Sequence, residues 1–230
     1  AGRATGGVDG GPLDEDRVVV RVNPAGTADH DADLAMLAGT GWRTLMLAKA
    51  ESAAQVDGVV AALGPQTRVV ALCETAAGIL AAAELAAHPH VGALMWGAED
   101  LVASMGGSSS RTPEGAYRSV VQHARATVLL AAAAHGAAAW DAVHLDLGDE
   151  AGVAAKAEDA VALGCTATVC LHPRQVPVVR SAYTPAPEAV ERARRVLAAA
   201  EGRHGAFELD GTMVDEVVLA QARAVLRRAH

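Results

Sequence analysis

From Arg17 onward, short runs of Val, Leu, Met and Ala recur along the chain, and within each run the apolar residues are continuous rather than alternating. That is the pattern of parallel strands covered on both faces, where neither side of the strand meets water. Strands are predicted near Arg17–Asn23, Thr44–Lys49, Arg68–Cys73, Gly92–Trp96, Ala142–Leu145 and Ala167–Leu171. Between them, helical patterns predict helices at about Ala28–Leu37, Ser52–Leu63, Ala76–Ala87, Pro113–His135 and Ala151–Leu163. Ser52 and the Thr112-Pro113-Glu114 sequence read as helix starts. Successive strand starts at Val18, Thr44, Arg68 and Val91 stand 23–26 residues apart, which is the period of a repeated strand–helix unit and places the chain in the α/β class. After Pro185 and Pro187 the pattern changes to a helix (Glu188–Ala200), a Gly-bounded loop around Phe207 and a last helix from about Val214, an appendage to the repeat. Ala1–Asp16 is rich in Gly and charge, has no apolar periodicity, and reads as a flexible tail or crossing loop.

Composition narrows the picture. With 230 residues, 51% of them hydrophobic, the chain can bury one sizeable core. A single Phe and two Tyr mean that this core is built from small and branched aliphatics. Nineteen basic against twenty-seven acidic side chains, with no Lys/Arg stripe, exclude a nucleic-acid partner. No apolar stretch approaches the ~20 residues that cross a bilayer, and no secretory signal opens the sequence, so no membrane association and a cytoplasmic location are expected. Cys73, Cys165 and Cys170 lie in apolar runs without zinc-site spacing and read as reduced core thiols.

The polar residues collect at the C-terminal ends of the predicted strands: Arg21 and Asn23, Lys49 and Glu51, Glu74, Glu99 and Asp100, Asp146, and His172. In a parallel barrel that rim carries the chemistry, because the βα loops converge there. Glu74 emerges after Val69-Val70-Ala71-Leu72-Cys73, and Asp100 after Ala93-Leu94-Met95-Trp96-Gly97-Ala98. Two carboxylates without His or Cys companions suit a hard cation that takes oxygen ligands, Mg²⁺ above all. The alternative is that both cap the following helices, and spacing alone leaves the two readings open. Glu99 competes with Asp100, but on a strand only one of two successive residues faces the barrel mouth. Arg21 suits the grip of a carboxylate or phosphate, or a structural pair with Glu74 or Asp100. Lys49 is either a Schiff-base lysine or, the favoured reading, a partner of the carboxylates. The Gly106-Gly107-Ser108-Ser109-Ser110-Arg111 loop offers backbone N–H groups to an anion but lacks the ending of a nucleotide P-loop. His172-Pro173 and the His144/Asp146 pair read as structural.

Taken together, these motifs resemble the citrate lyase β-subunit and malyl-CoA lyase family of Mg²⁺-dependent carbon–carbon lyases. The resemblance runs through Val20-Arg21-Val22-Asn23, Met46-Leu47-Ala48-Lys49-Ala50-Glu51, Glu74-Thr75-Ala76-Ala77-Gly78, Trp96-Gly97-Ala98-Glu99-Asp100-Leu101, Gly107-Ser108-Ser109-Ser110-Arg111, His172-Pro173-Arg174-Gln175 and Gly211-Thr212-Met213-Val214-Asp215. It implies a TIM (β/α)₈-type barrel over residues 17–184. Residues 185–230 would form a C-terminal extension that covers a neighbour's active site in a homotrimer. It assigns the metal, Mg²⁺ or in its place Mn²⁺, to Glu74 and Asp100 rather than Glu99. Arg21 and Lys49 become substrate-binding residues, Arg21 also stabilising the developing oxyanion, and Asp215 becomes a general acid/base delivered in trans. Two departures stand out. The family's first two strands, with an Asp-Leu-Glu-Asp stretch, have no counterpart ahead of Arg17, so six of the eight strands of such a barrel are accounted for. Missing residues are the expected explanation, since an open parallel barrel would expose two apolar edges. Val217 also stands where the family has Pro.

The implied reaction is reversible cleavage of a β-hydroxyacyl-CoA to a 2-oxo acid and an acyl-CoA. Malyl-CoA and citramalyl-CoA carry the α-hydroxy acid that a metal can chelate, while 3-hydroxy-3-methylglutaryl-CoA would need a different pose. Two alternatives remain: a Schiff-base aldolase using Lys49, and a non-catalytic homologue that binds CoA or oxo acids.

Overall fold

The computed structural model describes residues 14–229, and the tail expected over Ala1–Asp16 lies largely outside the described residues. In chain order the elements are β1 (Val20–Val22), α1 (Ala28–Leu37), β2 (Thr44–Leu47), α2 (Ala53–Leu63), β3 (Arg68–Cys73), α3 (Ala76–Leu80), α4 (Ala82–Ala87), β4 (Val91–Trp96) and α5 (Ala98–Ser104). They continue with α6 (Ser119–His135), β5 (Ala138–Asp141), α7 (Glu150–Ala162), β6 (Ala167–Thr168), α8 (Gln175–Tyr183), α9 (Pro187–Ala200), β7 (Phe207–Leu209), β8 (Thr212–Val214) and α10 (Glu216–Arg228). The first six strands form one parallel sheet in sequence order, the expected α/β alternation. The described residues divide into two compact units. One runs to Val143 and takes in Leu163–Val169, and the other comprises His144–Ala162 and the chain from Cys170 onward.

In the first unit the sheet is continuous because its central strands are apolar on both sides. All of β3 after Arg68 is buried, and so is β4 apart from Gly92. Register then sorts the side chains. Arg21 pairs with Met46, Met46 with Val70, Val70 with Ala93 and Ala93 with Ala138, so these five share one face. On that face Val70, Leu72, Ala93 and Met95 form an apolar cluster with Met46, Ala138 and Trp140 packed against it. Glu74 continues the Val70–Leu72 alternation just past the end of β3, and Arg21 lies on the same face at β1. The opposite face meets α6 through a buried polar knot. The fully buried Asp141 accepts from Trp96 Nε1 at 2.7 Å and from Arg125 Nε and Nη2 at 3.0 and 3.1 Å.

The second unit has its own core. Ala193 and Val196 of α9, Val214 of β8 and Ala222 of α10 are buried together, with Phe207 and Leu209 of β7 packed against them. No helix among the described residues is long and apolar enough to cross a membrane.

Several elements differ from the sequence expectation, each for a local reason. The strand expected at Ala142–Leu145 is Ala138–Asp141 instead. It is hidden in the sequence by the Ala-rich end of α6, and its last residue is fixed by the Asp141 knot. The strand expected to reach Leu171 stops at Thr168, because the N–H groups of Leu171 and His172 donate to the side chain of Gln175 rather than to a neighbouring strand. The helix expected from Pro113 begins at Ser119. Residues 111–117 are held in a turn, with Thr112 N–H donating to Ala116 O at 2.8 Å and an Arg111–Tyr117 bridge. The helix expected over Ala76–Ala87 is broken at Ala81 into α3 and α4. The loop around Phe207 is an antiparallel hairpin, β7–β8. Its Asp210-Gly211 turn has both residues at positive φ, as a two-residue hairpin requires.

Removing one member of a buried ion pair leaves the other charge dry and uncompensated. Asp141→Ala is expected to lower the stability of the chain by about 3–5 kcal/mol, measured by denaturant unfolding, and a change below about 1 kcal/mol would contradict a structural role for the knot.

Candidate metal centre and active site

Three segments of the first unit meet at the C-terminal ends of the strands. At the end of β2 the backbone N–H groups of Ala48 and Ala50 donate to Val22 O and Leu72 O on either side. Lys49, between them, is turned into the left-handed region at φ +50°. Such a conformation costs a non-glycine residue about 1 kcal/mol and survives only where surrounding contacts hold it. Here it aims the Lys49 N–H at Glu74 Oε1, 3.3 Å away, while Lys49 Nζ lies 3.3 Å from Asp100 Oδ1. One lysine thus contacts both candidate metal ligands, one through its backbone and the other through its side chain.

Glu74 is 8% exposed. Its carboxyl is raised above the ordinary glutamate value, chiefly by burial and then by the charge of Asp100, against the lowering influence of Lys49 and Arg21. Arg21 is therefore close enough to act on Glu74, yet it is exposed and forms no hydrogen bond or ion pair among the described residues. Gly97, at the N-cap of α5, is required by this packing. A Cβ there would lie 2.9 Å from Glu74 Cβ and 3.1 Å from its Oε2.

Glu99 and Asp100 are not strand residues as expected. β4 ends at Trp96, and both carboxylates sit in the first turn of α5, where they suit the helix dipole. The alternation of strand side chains does not choose between them, because helical neighbours are rotated by about 100°. Their partners distinguish them instead. Glu99 Oε1 accepts from Ser110 Oγ at 2.6 Å, whereas Asp100 meets Lys49, in a pair whose side chains are 45% and 52% exposed. The Gly-Ser-Ser-Ser-Arg loop is thereby tied to α5 by Ser110.

The other candidates, His144, Asp146, His172 and Asp215, belong to the second unit. His144 Nε2 lies 3.0 Å from Asp149 Oδ2 rather than pairing with Asp146, whose Oδ1 accepts from Gly148 N–H. His172 Nδ1 accepts from Arg174 N–H. Asp215 is the N-cap of α10, with Oδ1 accepting from Val218 N–H at 3.1 Å. Val217 stands in that first helical turn, where a Pro would also be accommodated, and the cap is formed with Val in place. Cys73 and Cys165 are buried and Cys170 partly so, all three as thiols, and burial pushes Cys73 up to about 12.

The donor chemistry fits a magnesium ion. Two like-charged carboxylates converge, all donors are oxygens, and no group of three or more His, Cys, Asp or Glu suited to a metal occurs among the described residues. A set of two leaves the remaining positions to water and substrate, as Mg²⁺ prefers. Lys49 fits Schiff-base chemistry less well. Such lysines are activated in a dry pocket or beside another cation, and Lys49 is half-exposed with a carboxylate for a neighbour.

Residues 13–173 match the family model described as HpcH/HpaI aldolase/citrate lyase. The chain belongs to that family. The family description names an aldolase and a lyase, both enzymes that cleave carbon–carbon bonds. A citrate lyase subunit beta-like protein of Mycobacterium tuberculosis is 55% identical over 218 residues, 95% of this chain and 78% of the relative. A (3S)-malyl-CoA thioesterase of Cereibacter sphaeroides is 34% identical, covering 92% of this chain and 73% of that one. Among solved structures, the CitE protein of M. tuberculosis in complex with magnesium, acetoacetate and coenzyme A superposes with a TM-score of 0.85 at 54% identity, over 95% of this chain and 80% of the other.

Four residues that shape the cluster had no role assigned from the sequence: Glu51, named only as a polar residue at a strand end, and Thr75, Gly97 and Ser110. Each adjoins or lies within a conspicuous motif, but the signal is a contact between motifs, which spacing does not carry.

The raised carboxyl of Glu74 has a signed consequence. Between the ordinary value of 4.5 and its higher value in the fold, the folded chain holds a proton that the unfolded chain has lost, so this group's contribution to stability falls as pH rises through that window. In metal-free protein, Glu74→Gln is expected to lack this decline, gaining on wild type from pH 4 towards neutrality in denaturant unfolding. A wild type that gains on the variant over the same range would contradict it.

Proposed function

We propose that the chain is a magnesium-dependent lyase that cleaves a β-hydroxyacyl-CoA carrying a carboxylate on its hydroxyl carbon, with malyl-CoA and citramalyl-CoA as the candidate substrates. The observation that carries this reading is the bridging of Glu74 and Asp100 by Lys49 at one end of the sheet. The magnesium, acetoacetate and coenzyme A bound by the related CitE protein support the choice of ion and substrate class. The six strands are taken as part of an eight-stranded barrel.

In this reading Glu74 and Asp100 hold the ion. Magnesium there supplies Lewis-acid polarisation of the substrate's hydroxyl and carboxylate oxygens. Arg21, on the same face of the sheet, binds the substrate carboxylate and adds positive charge where the oxyanion develops. Lys49 keeps both carboxylates oriented and contributes its own charge to the substrate. Asp215 or a water it positions takes the hydroxyl proton, the carbon–carbon bond breaks, and the bonding pair passes to the thioester fragment as its enolate. A carbonyl remains on the 2-oxo acid. Asp215, delivered by a neighbouring copy in a homotrimer, returns a proton to the enolate carbon, directly or through a water.

The thioesterase among the relatives favours one second reading, hydrolysis of the same thioester. Product analysis separates the two: cleavage gives a 2-oxo acid with no free thiol, and hydrolysis gives free coenzyme A. Incubated with malyl-CoA or citramalyl-CoA, the chain is expected to release the 2-oxo acid only with Mg²⁺, and Glu74→Ala or Asp100→Ala to lower the rate by about 100-fold or more. Full activity in both variants would sink the metal assignment. Activity surviving a chelator, with borohydride trapping substrate on Lys49, would favour the Schiff base.

A further inference from the structure

The carboxylate of Glu51 has no part in the proposed chemistry and meets no cation among the described residues. Oε1 of this half-buried residue accepts a hydrogen bond of 2.6 Å from Thr75 Oγ1, within the short range of charge-assisted O–H···O⁻ bonds. Thr75 is 8% exposed and has one hydroxyl proton. That proton goes to Glu51, and the same oxygen accepts Gly78 N–H at 3.0 Å as the N-cap of α3. The hydroxyl is therefore fixed from both sides. Glu51 is itself tethered, its N–H donating to Gln55 Oε1 at 2.7 Å.

Three successive residues, Lys49 to Glu51, hold the segment opposite. Lys49 N–H meets Glu74 Oε1, Glu51 meets Thr75, and Ala50 O lies so close to Gly78 that a Cβ there would stand 2.5 Å from it. Residues 49–51 thus clasp residues 74–78, and the residue whose direction they set is Glu74. In metal sites, partners that orient the ligands commonly change affinity by about 10–100-fold when removed.

We propose that Glu51 is a positioning residue of this centre, holding Thr75 so that Glu74 leaves β3 aimed at the ion. The proposal rests on the reading of Glu74 as a metal ligand. Glu51 acts on the centre through the Thr75 hydroxyl, and that makes its effect separable from a general contribution to folding.

The test uses the full chain, metal-free, titrated with Mn²⁺ alone and followed by loss of the free-ion electron paramagnetic resonance signal. Circular dichroism confirms that each variant is folded. Glu51→Ala is expected to weaken Mn²⁺ binding by about 10-fold or more. Glu51→Gln should restore most of it, since the amide oxygen accepts the same bond. The double variant Glu51→Ala/Thr75→Val should bind no more weakly than Thr75→Val alone, because both changes break one interaction. Wild-type affinity in folded Glu51→Ala, with binding lost in Glu74→Ala, would overturn the positioning role while leaving the ligand assignment standing. Wild-type affinity in Glu74→Ala would overturn that assignment and the proposal with it. A Glu51→Gln variant as weak as Glu51→Ala, or losses that add in the double variant, would also overturn the route through Thr75.

Discussion

Two negative side chains held at one end of the sheet are a constraint that the neighbouring structure has to accommodate. Glu74 is nearly buried and feels the charge of Asp100, and both effects oppose its ionisation. Left to electrostatics, the two would separate or take up protons. The fold holds them with a lysine in a left-handed conformation, with Gly97 clearing space for Glu74, and with the clasp of residues 49–51 on residues 74–78. Backbone strain and like-charge convergence at the same place are features that fold stability alone does not call for, and they suit a site whose balancing charge is a bound cation.

The sheet delivers this arrangement through register. Because parallel partners share a face, the row from Arg21 through Met46, Val70 and Ala93 to Ala138 defines a surface, and Glu74 follows at the end of β3 on that surface. The other face is spent on stability, with Asp141, Trp96 and Arg125 binding the sheet to α6. The C-terminal unit, with its own core of α9, the β7–β8 hairpin and α10, presents Asp215 as a helix cap. A capping carboxylate has its orientation fixed by the backbone, a useful property for a group assigned to proton transfer.

The regular parts of the fold were legible in the sequence. Continuous apolar runs located β2, β3 and β4, and the bounds of α1 are those the pattern predicts. Legibility failed where one residue's partner lies far away in sequence. β5 is displaced from its expected place by a buried aspartate whose partners, Trp96 and Arg125, lie on other elements, and β6 is cut short by Gln175. The Asp210-Gly211 turn was readable from its residues, but the glycines around it made the segment look like a loop. At the site, the chemistry-bearing residues Arg21, Lys49, Glu74 and Asp100 stood out, because a charged residue closing or following an apolar strand is conspicuous. The roles of the residues that aim them did not, since Glu51, Thr75 and Ser110 show their purpose only as contacts between segments. Glu99 and Asp100 were expected as strand neighbours of which one faces the barrel mouth, but the chain has already turned into α5 there, and the two carboxylates differ in their partners, Ser110 and Lys49.

The most direct test of the metal centre is crystallographic. Crystals of the chain grown with Mn²⁺ and measured at the manganese absorption edge should show an anomalous peak about 2–2.3 Å from carboxylate oxygens of both Glu74 and Asp100, with the remaining positions filled by water or an oxo acid. A fully occupied peak held by other residues, or by Glu99 in place of Asp100, would contradict the account.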